Sequence, residues 1–277
     1  RPDEPVHDAD RWRVSRVVVD SPRRRIARDV RTPGRDDGTR TSVIDNAAIE
    51  VAAEQAVPSE EQISLGKWRA HFSSGHIRRI NSVSLHGERI DEDEALRRLA
   101  AVQRLYRERG LRPRIRTTSM DGWIDPLIHG WSEAGEALVM TSQPAPADVG
   151  ATISIDQWLD WLSPRAVAAG RFEEASSSAR RLTADNVIVT TSVGNQIVGT
   201  GRAVSTGGLT GLFDITVDPE HRRRGHARSM IRRLKGWAAE RKEPVYLQVA
   251  IVNTGAIALY RSDGFTERYR YRYRSPD

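Results

Sequence analysis

One order of elements occurs twice in this chain, and it constrains the fold more than any single residue does. The order is helix, Pro-led strand, short helix, Gly followed by an aromatic, strand. The first pass runs from a helix opening at Asp91 and ending at Gly110, through a strand over residues 112–118 and a short helix, to Gly130-Trp131 and a strand over 137–141. The second runs from a helix over 227–241, through strand 245–251 and helix 254–262, to Gly264-Phe265 and a strand over 268–274. Pro113 and Gly130 lie 17 positions apart, and Pro244 and Gly264 lie 20 apart. Strands also precede each pass: a hairpin of residues 67–72 and 77–85 around Ser73-Ser74-Gly75, and a meander of 187–191, 196–204 and 209–217. The expectation is an α+β protein with an internal duplication. Asp91 and Glu94 have capping-box spacing, and Ala227, Met230, Ile231, Leu234, Trp237 and Ala238 form one apolar helix face.

Residues 1–60 differ in character. Residues 11–19 and 42–44 read as short strands, Pro22, Pro33-Gly34 and Asp37-Gly38 supply turns, and eleven Arg fall in residues 1–40. A small β-module and a basic arm both fit. Residues 53–61, with Pro58, read as a linker. The chain thus divides into 1–60, then 61–146 as one copy of the repeated unit, then 147–277 as the other. Pro144 and Pro146 lie near the junction, and residues 152–182 are partly helical around Trp158, Leu159, Trp161 and Leu162.

Composition narrows the function classes. The 277 residues contain no Cys, so disulfide frameworks, thiolate metal sites and cysteine nucleophiles are excluded. No apolar run reaches the length of a membrane span, and residues 1–20 carry charge where a signal peptide needs an apolar stretch. A soluble, cytoplasmic protein is the expectation. The chain opens on Arg1 instead of Met, so it reads as trimmed or partial. The net charge is +6, and the 43 basic residues include Lys only at 67, 235 and 242. Such Arg density permits a polyanionic ligand without requiring one, because guanidinium forks onto phosphate or carboxylate. The seven His, at 7, 71, 76, 86, 129, 221 and 226, have no metal-ligand spacing, so no metal site is expected.

The strongest chemical signal is Val217-Asp218-Pro219-Glu220-His221-Arg222-Arg223-Arg224-Gly225-His226-Ala227. A strand ends, a Pro turns the chain, and a loop with small residues opens an amphipathic helix. Free N–H groups at a helix start carry partial positive charge, and Gly225 allows close approach, so the loop can cradle a diphosphate. One strand later comes Asn253-Thr254-Gly255-Ala256-Ile257-Ala258-Leu259-Tyr260-Arg261-Ser262-Asp263-Gly264-Phe265. Together the two segments resemble the GNAT superfamily of acetyl-CoA-dependent N-acetyltransferases. The loop pattern Gln/Arg-x-x-Gly-x-Gly/Ala is met by Arg222, Gly225 and Ala227. The second, Asn-x-x-Ala-x-x-x-Tyr-x-x-x-Gly-Phe, is met by Asn253, Ala256, Tyr260, Gly264 and Phe265. The match covers roughly residues 185–274.

The resemblance implies a central mixed, mostly antiparallel sheet flanked by helices, here as a tandem with a worn N-terminal copy. It also implies acetyl-CoA as co-substrate, an amine acceptor and direct transfer in a ternary complex. Main-chain groups of Ile215, Thr216 and Val217 would face the pantetheine and thioester carbonyl. The amides of Arg223, Arg224, Gly225, His226, Ala227 and Arg228 would hold the pyrophosphate. Asn253 would contact the cofactor arm, and the Tyr260 hydroxyl would protonate the departing thiolate. Asn253 read alone is a helix cap and Tyr260 a core residue.

One departure matters. Many relatives carry a carboxylate on the strand before the Asn, but here it reads Gln248-Val249-Ala250-Ile251-Val252. Asp214 on the preceding strand is the nearest candidate base, with an ion-paired strand Asp as the plainer reading. The His226 side chain is expected to face solvent. In Arg268-Tyr269-Arg270-Tyr271-Arg272-Tyr273-Arg274 strict alternation puts Tyr on one face and Arg on the other, as a half-buried strand ahead of an anion-binding surface. The rivals to an acetyltransferase are a non-catalytic acetyl-CoA-binding module and an Arg-rich nucleic-acid binder; the second lacks a recognition motif.

Overall fold

The computed structural model describes residues 44–75, 77–167 and 172–276. A helix α1 (Asn46–Gln55) leads into strands β1 (Glu61–Leu65), β2 (Trp68–Phe72) and β3 (Val83–Ser84), helix α2 (Glu92–Glu108), strand β4 (Ile115–Thr118), a 3-10 turn (Gly122–Ile128) and strand β5 (Ser132–Ser142). Helices α3 (Ile155–Val167) and α4 (Phe172–Arg181) connect these to strands β6 (Asn186–Val193), β7 (Gln196–Thr206) and β8 (Leu209–Val217). A 3-10 turn (Pro219–His221), helix α5 (His226–Arg241), strand β9 (Val245–Ala250), helix α6 (Thr254–Ser262) and strand β10 (Thr266–Ser275) complete the chain.

All ten strands form one sheet in the order β1-β2-β3-β4-β10-β5-β9-β8-β7-β6. Reading that order from either end gives the same succession of equivalent strands, so the sheet has a pseudo-two-fold axis between β10 and β5. Each half contributes three strands, a helix, a strand joined in parallel to the third, a short helical segment and a last strand. The last strands are exchanged: β5 pairs with β9 of the second half, and β10 pairs with β4 of the first. β3–β4 and β8–β9 are parallel and the other seven pairings are antiparallel. The α+β, mixed and mostly antiparallel fold class read from the sequence is the observed one.

Alternation decides which side of the sheet each residue serves. Leu138 and Met140 of β5, with Val245, Leu247 and Val249 of β9, pack under Met230, Ile231, Leu234, Trp237 and Ala238 of α5. Ala137, Val139, Tyr246, Tyr269, Tyr271 and Tyr273 point the other way, against Ile49, Ala52 and Ala53 of α1. Helix α1 therefore bridges the seam between the halves. Its Glu50 lies against Arg116 of β4 and accepts from the Tyr269 hydroxyl, and the Thr206 hydroxyl of β7 donates to the Ala52 carbonyl (2.9 Å).

Four readings need correction. Residues 53–55 belong to α1 instead of a linker, because Asp45 caps the helix by accepting from the Ala47 N–H (3.1 Å) and the apolar side of the helix is buried. Ile44 is not in a strand; it packs beside α1. The tight hairpin is β1–β2, turning at Gly66-Lys67, while β2 reaches β3 through a longer connection over 73–82. Strand β5 is eleven residues long and extends well ahead of residue 137 because β10 covers it to Ser132. The strand expected over residues 11–19, and residues 42 and 43, lie outside the described residues.

Candidate active site

The parallel strands β8 and β9 stay together only over 210–212 and 245–247. Beyond that, β9 keeps its pairing with β5 to Ala250, and β8 keeps its pairing with β7 to Val217. The sheet opens between them. A bulge drives the divergence: Asp214 and Ile215 of β8 together face Gly201 of β7, and Asp214 adopts φ +54°. A bulge bends its strand and re-aims the residues beyond it. Asp is among the few side chains that tolerate this left-handed conformation.

Two cavities meet at the opening, and Ile215 lines both. The larger, about 700 Å³, is bounded by Ile215, Thr216 and Val217, by the loop into α5 and by the start of α6. Gly225 takes φ +86° and Arg223 φ +62°, which turns the loop so that α5 begins at its edge. The first main-chain bond into α5 is Ser229 N–H to Gly225 O (3.0 Å); among the described residues, none engages the amides of 223–228. No acid sits in the first turn of α5 and Gly225 gives no side-chain cap. These amides, beside Arg223 and Arg228, are the donor set a diphosphate needs. Asn253 lines the same cavity while its Oδ1 caps α6 by accepting from the Ala256 N–H (3.2 Å).

The smaller cavity, about 300 Å³, lies on the α1 side of β9, where Gln248 points by alternation with Leu247 and Val249. Tyr260 and Asp214 line it. The Tyr260 ring is half-buried edge-on to Phe265 (5.8 Å between centroids), and burial pushes its hydroxyl above the usual tyrosine range, so it keeps its proton at neutral pH. Asp214 Oδ2 receives Arg202 Nε (3.0 Å) and Nη2 (2.9 Å), so the ion-paired reading of this residue is correct. The wall opposite comes from Val57, Ile77 and Arg79 and from Trp158, Ala175 and Ser178 of α3 and α4.

The family model described as "Probable histone acetyltransferase Rv0428c C-terminal" matches residues 41–274. The chain belongs to this family. It is a member of the GNAT superfamily of acetyltransferases. Among solved structures, a GCN5-related N-acetyltransferase from Kribbella flavida superposes with a TM-score of 0.66 at 16% identity, covering 85% of this chain and 97% of that one. A tandem GNAT protein from the clavulanic acid biosynthesis pathway gives 0.56 at 13%, covering 86% and 89%. A GCN5-related N-acetyltransferase from Sphaerobacter thermophilus gives 0.52 at 21%, covering 70% and 71%. At these identities the likeness is one of fold. No curated protein matches the sequence.

Within this GNAT fold the residues picked out from the sequence divide between the two cavities. Ile215, Thr216, Val217, Arg223, Gly225, His226, Ala227, Arg228 and Asn253 line the larger one. Arg224 is exposed on the loop and does not. Tyr260 and Asp214 line the smaller. The His226 side chain is half-buried instead of solvent-facing, because its Nδ1 lies 2.8 Å from the Thr191 hydroxyl, and His221 stacks edge-on to it at 6.4 Å. The arginines of β10 serve neighbours: Arg268 binds Asn46 and Ile44, Arg270 pairs with Glu267 and Glu136, and Arg274 with Asp125 and Glu133.

Sequence reasoning missed a brace on the loop into α5. Arg165 of α3 grips Asp218 with Nε and Nη2, both at 2.7 Å. That bidentate bond holds the Asp218 carboxyl below its ordinary range. Arg222 donates back to the Val217 carbonyl (3.0 Å), tying the loop to the strand end. Only the family spacing of Arg222 was visible in the sequence; nothing around Arg165 marked it. Among the described residues no cluster of His, Asp and Glu could hold a metal, and no helix is long and apolar enough to cross a membrane.

Proposed function

We propose that this protein transfers an acetyl group from acetyl-CoA to an amine, with residues 147–277 as the acetyl-CoA-binding unit and residues 61–146 as a worn copy that completes the acceptor side. The observation that carries the reading is the meeting of the two cavities at Ile215: unbonded amides line one and a protonated Tyr faces the other. The amides of Arg223, Arg224, Gly225, His226, Ala227 and Arg228 hold the diphosphate, and Asn253 takes the pantetheine arm. Bound acetyl-CoA supplies an acyl carbon activated by its thioester.

The chain's residues do the rest. Ile215, Thr216 and Val217 lie where β9 has left β8, and the main-chain donors of this stretch that do not turn to β7 meet the carbonyl oxygen as it gains charge. Holding amine and thioester side by side removes the entropic cost of their encounter. The amine gives its proton to Asp214, directly or through one water, and its nitrogen bonds to the acetyl carbon as the C–S bond breaks. The electron pair leaves with sulfur, and the Tyr260 hydroxyl protonates it. The test is acetyl-CoA turnover against a panel of amines, antibiotics and peptides, beside a calorimetric titration of acetyl-CoA. A chain that binds acetyl-CoA yet turns over none of them is a binding module. A chain that does not bind it, but binds DNA with steep salt dependence, refutes the reading.

A further inference from the structure

The smaller cavity says more about the acceptor than its size does. Its charges do not cancel. Asp214 is ion-paired with Arg202 at 2.9 Å and also attracts Arg79 from further off, so one carboxylate faces two guanidiniums, and among the described residues no carboxylate lies in ion-pair contact with Arg79. Arg79 is half-buried, its Cζ lies 5.9 Å from the Phe213 ring centre, and its Nη1 is buried without a hydrogen-bond partner. In the same cavity both polar atoms of the Gln248 side chain are buried and equally unpartnered. The large majority of buried side-chain polar atoms in folded proteins have a partner, and those that do not call for an explanation. Here one donor of a planar fork and a carboxamide border one cavity of about 300 Å³, the scale of a small-molecule site.

We propose that the acceptor is a small amine bearing a carboxylate, an amino acid or a close relative, whose carboxylate is received by Arg79 and Gln248. A planar carboxylate fits the guanidinium fork, and the Gln248 amide nitrogen adds a further donor. The amine then lies toward Asp214 and Tyr260. A cationic acceptor such as a lysine in a basic peptide would bring like charge to Arg79 and leave Gln248 unmet. Sites built around a substrate's polar group reject analogues that lack it far more strongly than apolar pockets reject a missing methylene. This inference rests on the acetyltransferase reading above, and Arg79 acts in it as a specificity-determining residue.

The experiment compares three acceptor sets with the full chain and saturating acetyl-CoA: free amino acids including ω-amino acids, the same compounds as carboxamides, and a basic histone-tail peptide. The expected result is kcat/KM for at least one free amino acid about 100-fold above its carboxamide. Arg79→Met should raise KM for that acceptor by a similar factor with kcat little changed, and Arg79→Lys should recover part of the loss. Calorimetric acetyl-CoA affinity and the melting temperature of both variants serve as controls for the cofactor site and the fold. Equal use of acid and carboxamide, preference for the peptide, no use of any free amino acid, or an unchanged KM in Arg79→Met would overturn the inference. Any of these with acetyl-CoA binding intact leaves the acetyl-CoA site standing, whereas absent acetyl-CoA binding removes the parent reading itself.

Discussion

The sheet turns parallel once in each half, at β3–β4 and at β8–β9, and each time a long helix opens just beyond the third strand. In the first half that helix start is complete in itself. Asp91 accepts from the Glu94 N–H at 2.8 Å, Glu92, Asp93 and Glu94 fill the first turn, and Glu94 is clasped by Arg97 and Arg98. In the second half the helix start has a bare Gly225, no first-turn acid and arginines on either side. The same contrast recurs one strand later, where Asn253 caps α6 but its counterpart is a 3-10 turn containing Pro126. One half spends its own carboxylates on the helix dipole; the other leaves that position open, for an external anion on the proposed reading. On the proposed reading, a duplicated fold can thus keep both halves of one sheet and only one phosphate site.

The sharpest way to break that comparison is Gly225→Trp. A Cβ there meets nothing within 4 Å, so the ring would project into the space a diphosphate needs. The expected outcome is a loss of acetyl-CoA affinity of roughly 1,000-fold in a folded protein. Gly225→Ala separates bulk from backbone strain, since it meets the same φ of +86° without the ring. It should bind within about tenfold of the parent. Equal binding by the Trp variant would show that the loop does not hold the phosphates.

A second test bears on the helix that joins the halves. Glu54 of α1 reaches His86 Nε2 (2.7 Å) and His71 Nε2 (3.3 Å), with 13% of its side chain exposed. Burial pushes its carboxyl up, but the hydrogen bonds and charges of the two histidines outweigh it and hold the group at about 2. A carboxyl depressed on folding stabilises above its unfolded value of about 4.5, and that stability drains away as pH falls from about 4.5 to about 2. The full term is about 3 kcal/mol at most. Acid unfolding of Glu54→Gln should lack that slope; an identical acid profile in the two proteins would remove Glu54 from the seam.

Tyr260→Phe comes next in size. It keeps the ring against Phe265 and deletes the hydroxyl, so kcat should fall about 10- to 100-fold with acetyl-CoA affinity nearly unchanged. Asp214→Asn also suits the left-handed backbone and removes only the proton acceptor. Its rate should recover as pH rises toward the acceptor's own pKa. A flat deficit across pH would make Asp214 a partner for Arg202 and nothing more.

The features legible in the sequence were those written within one element or one loop. The strand and helix order, the α5 face, the glycine turn that opens α5 and the Tyr alternation of β10 all come from local period or spacing. Exchange of β5 and β10 was not legible, because both strands look the same whichever neighbour they choose. Helix α1 was misread because its cap, Asp45, comes straight after a β-branched pair and Pro58 suggested a break. The smaller cavity was least visible. Arg79 sits in an irregular connection and Gln248 in an apolar strand, and only the fold brings them to one cavity.

The smallest expected effect returns to the first half. Asp91→Ala removes a cap and should cost about 1 kcal/mol of stability by denaturant melt. It should not create a second acetyl-CoA site, because Glu92, Asp93 and Glu94 would still face an incoming diphosphate with like charge. Gln or Asn at all three removes the repulsion, yet the loop before α2 has one arginine where the other loop has three in a row; it reads His86-Gly87-Glu88-Arg89-Ile90. Glu88 of that loop is also committed, accepting from the Lys67 N–H at 3.0 Å and from Arg98 at 2.7 Å. The stoichiometry of acetyl-CoA should therefore stay near one per chain in the parent and in each variant. A value near two in the parent, with the second site lost on mutating residues 86–94, would mean that both halves kept the phosphate cradle and that the acids of α2 do not exclude it.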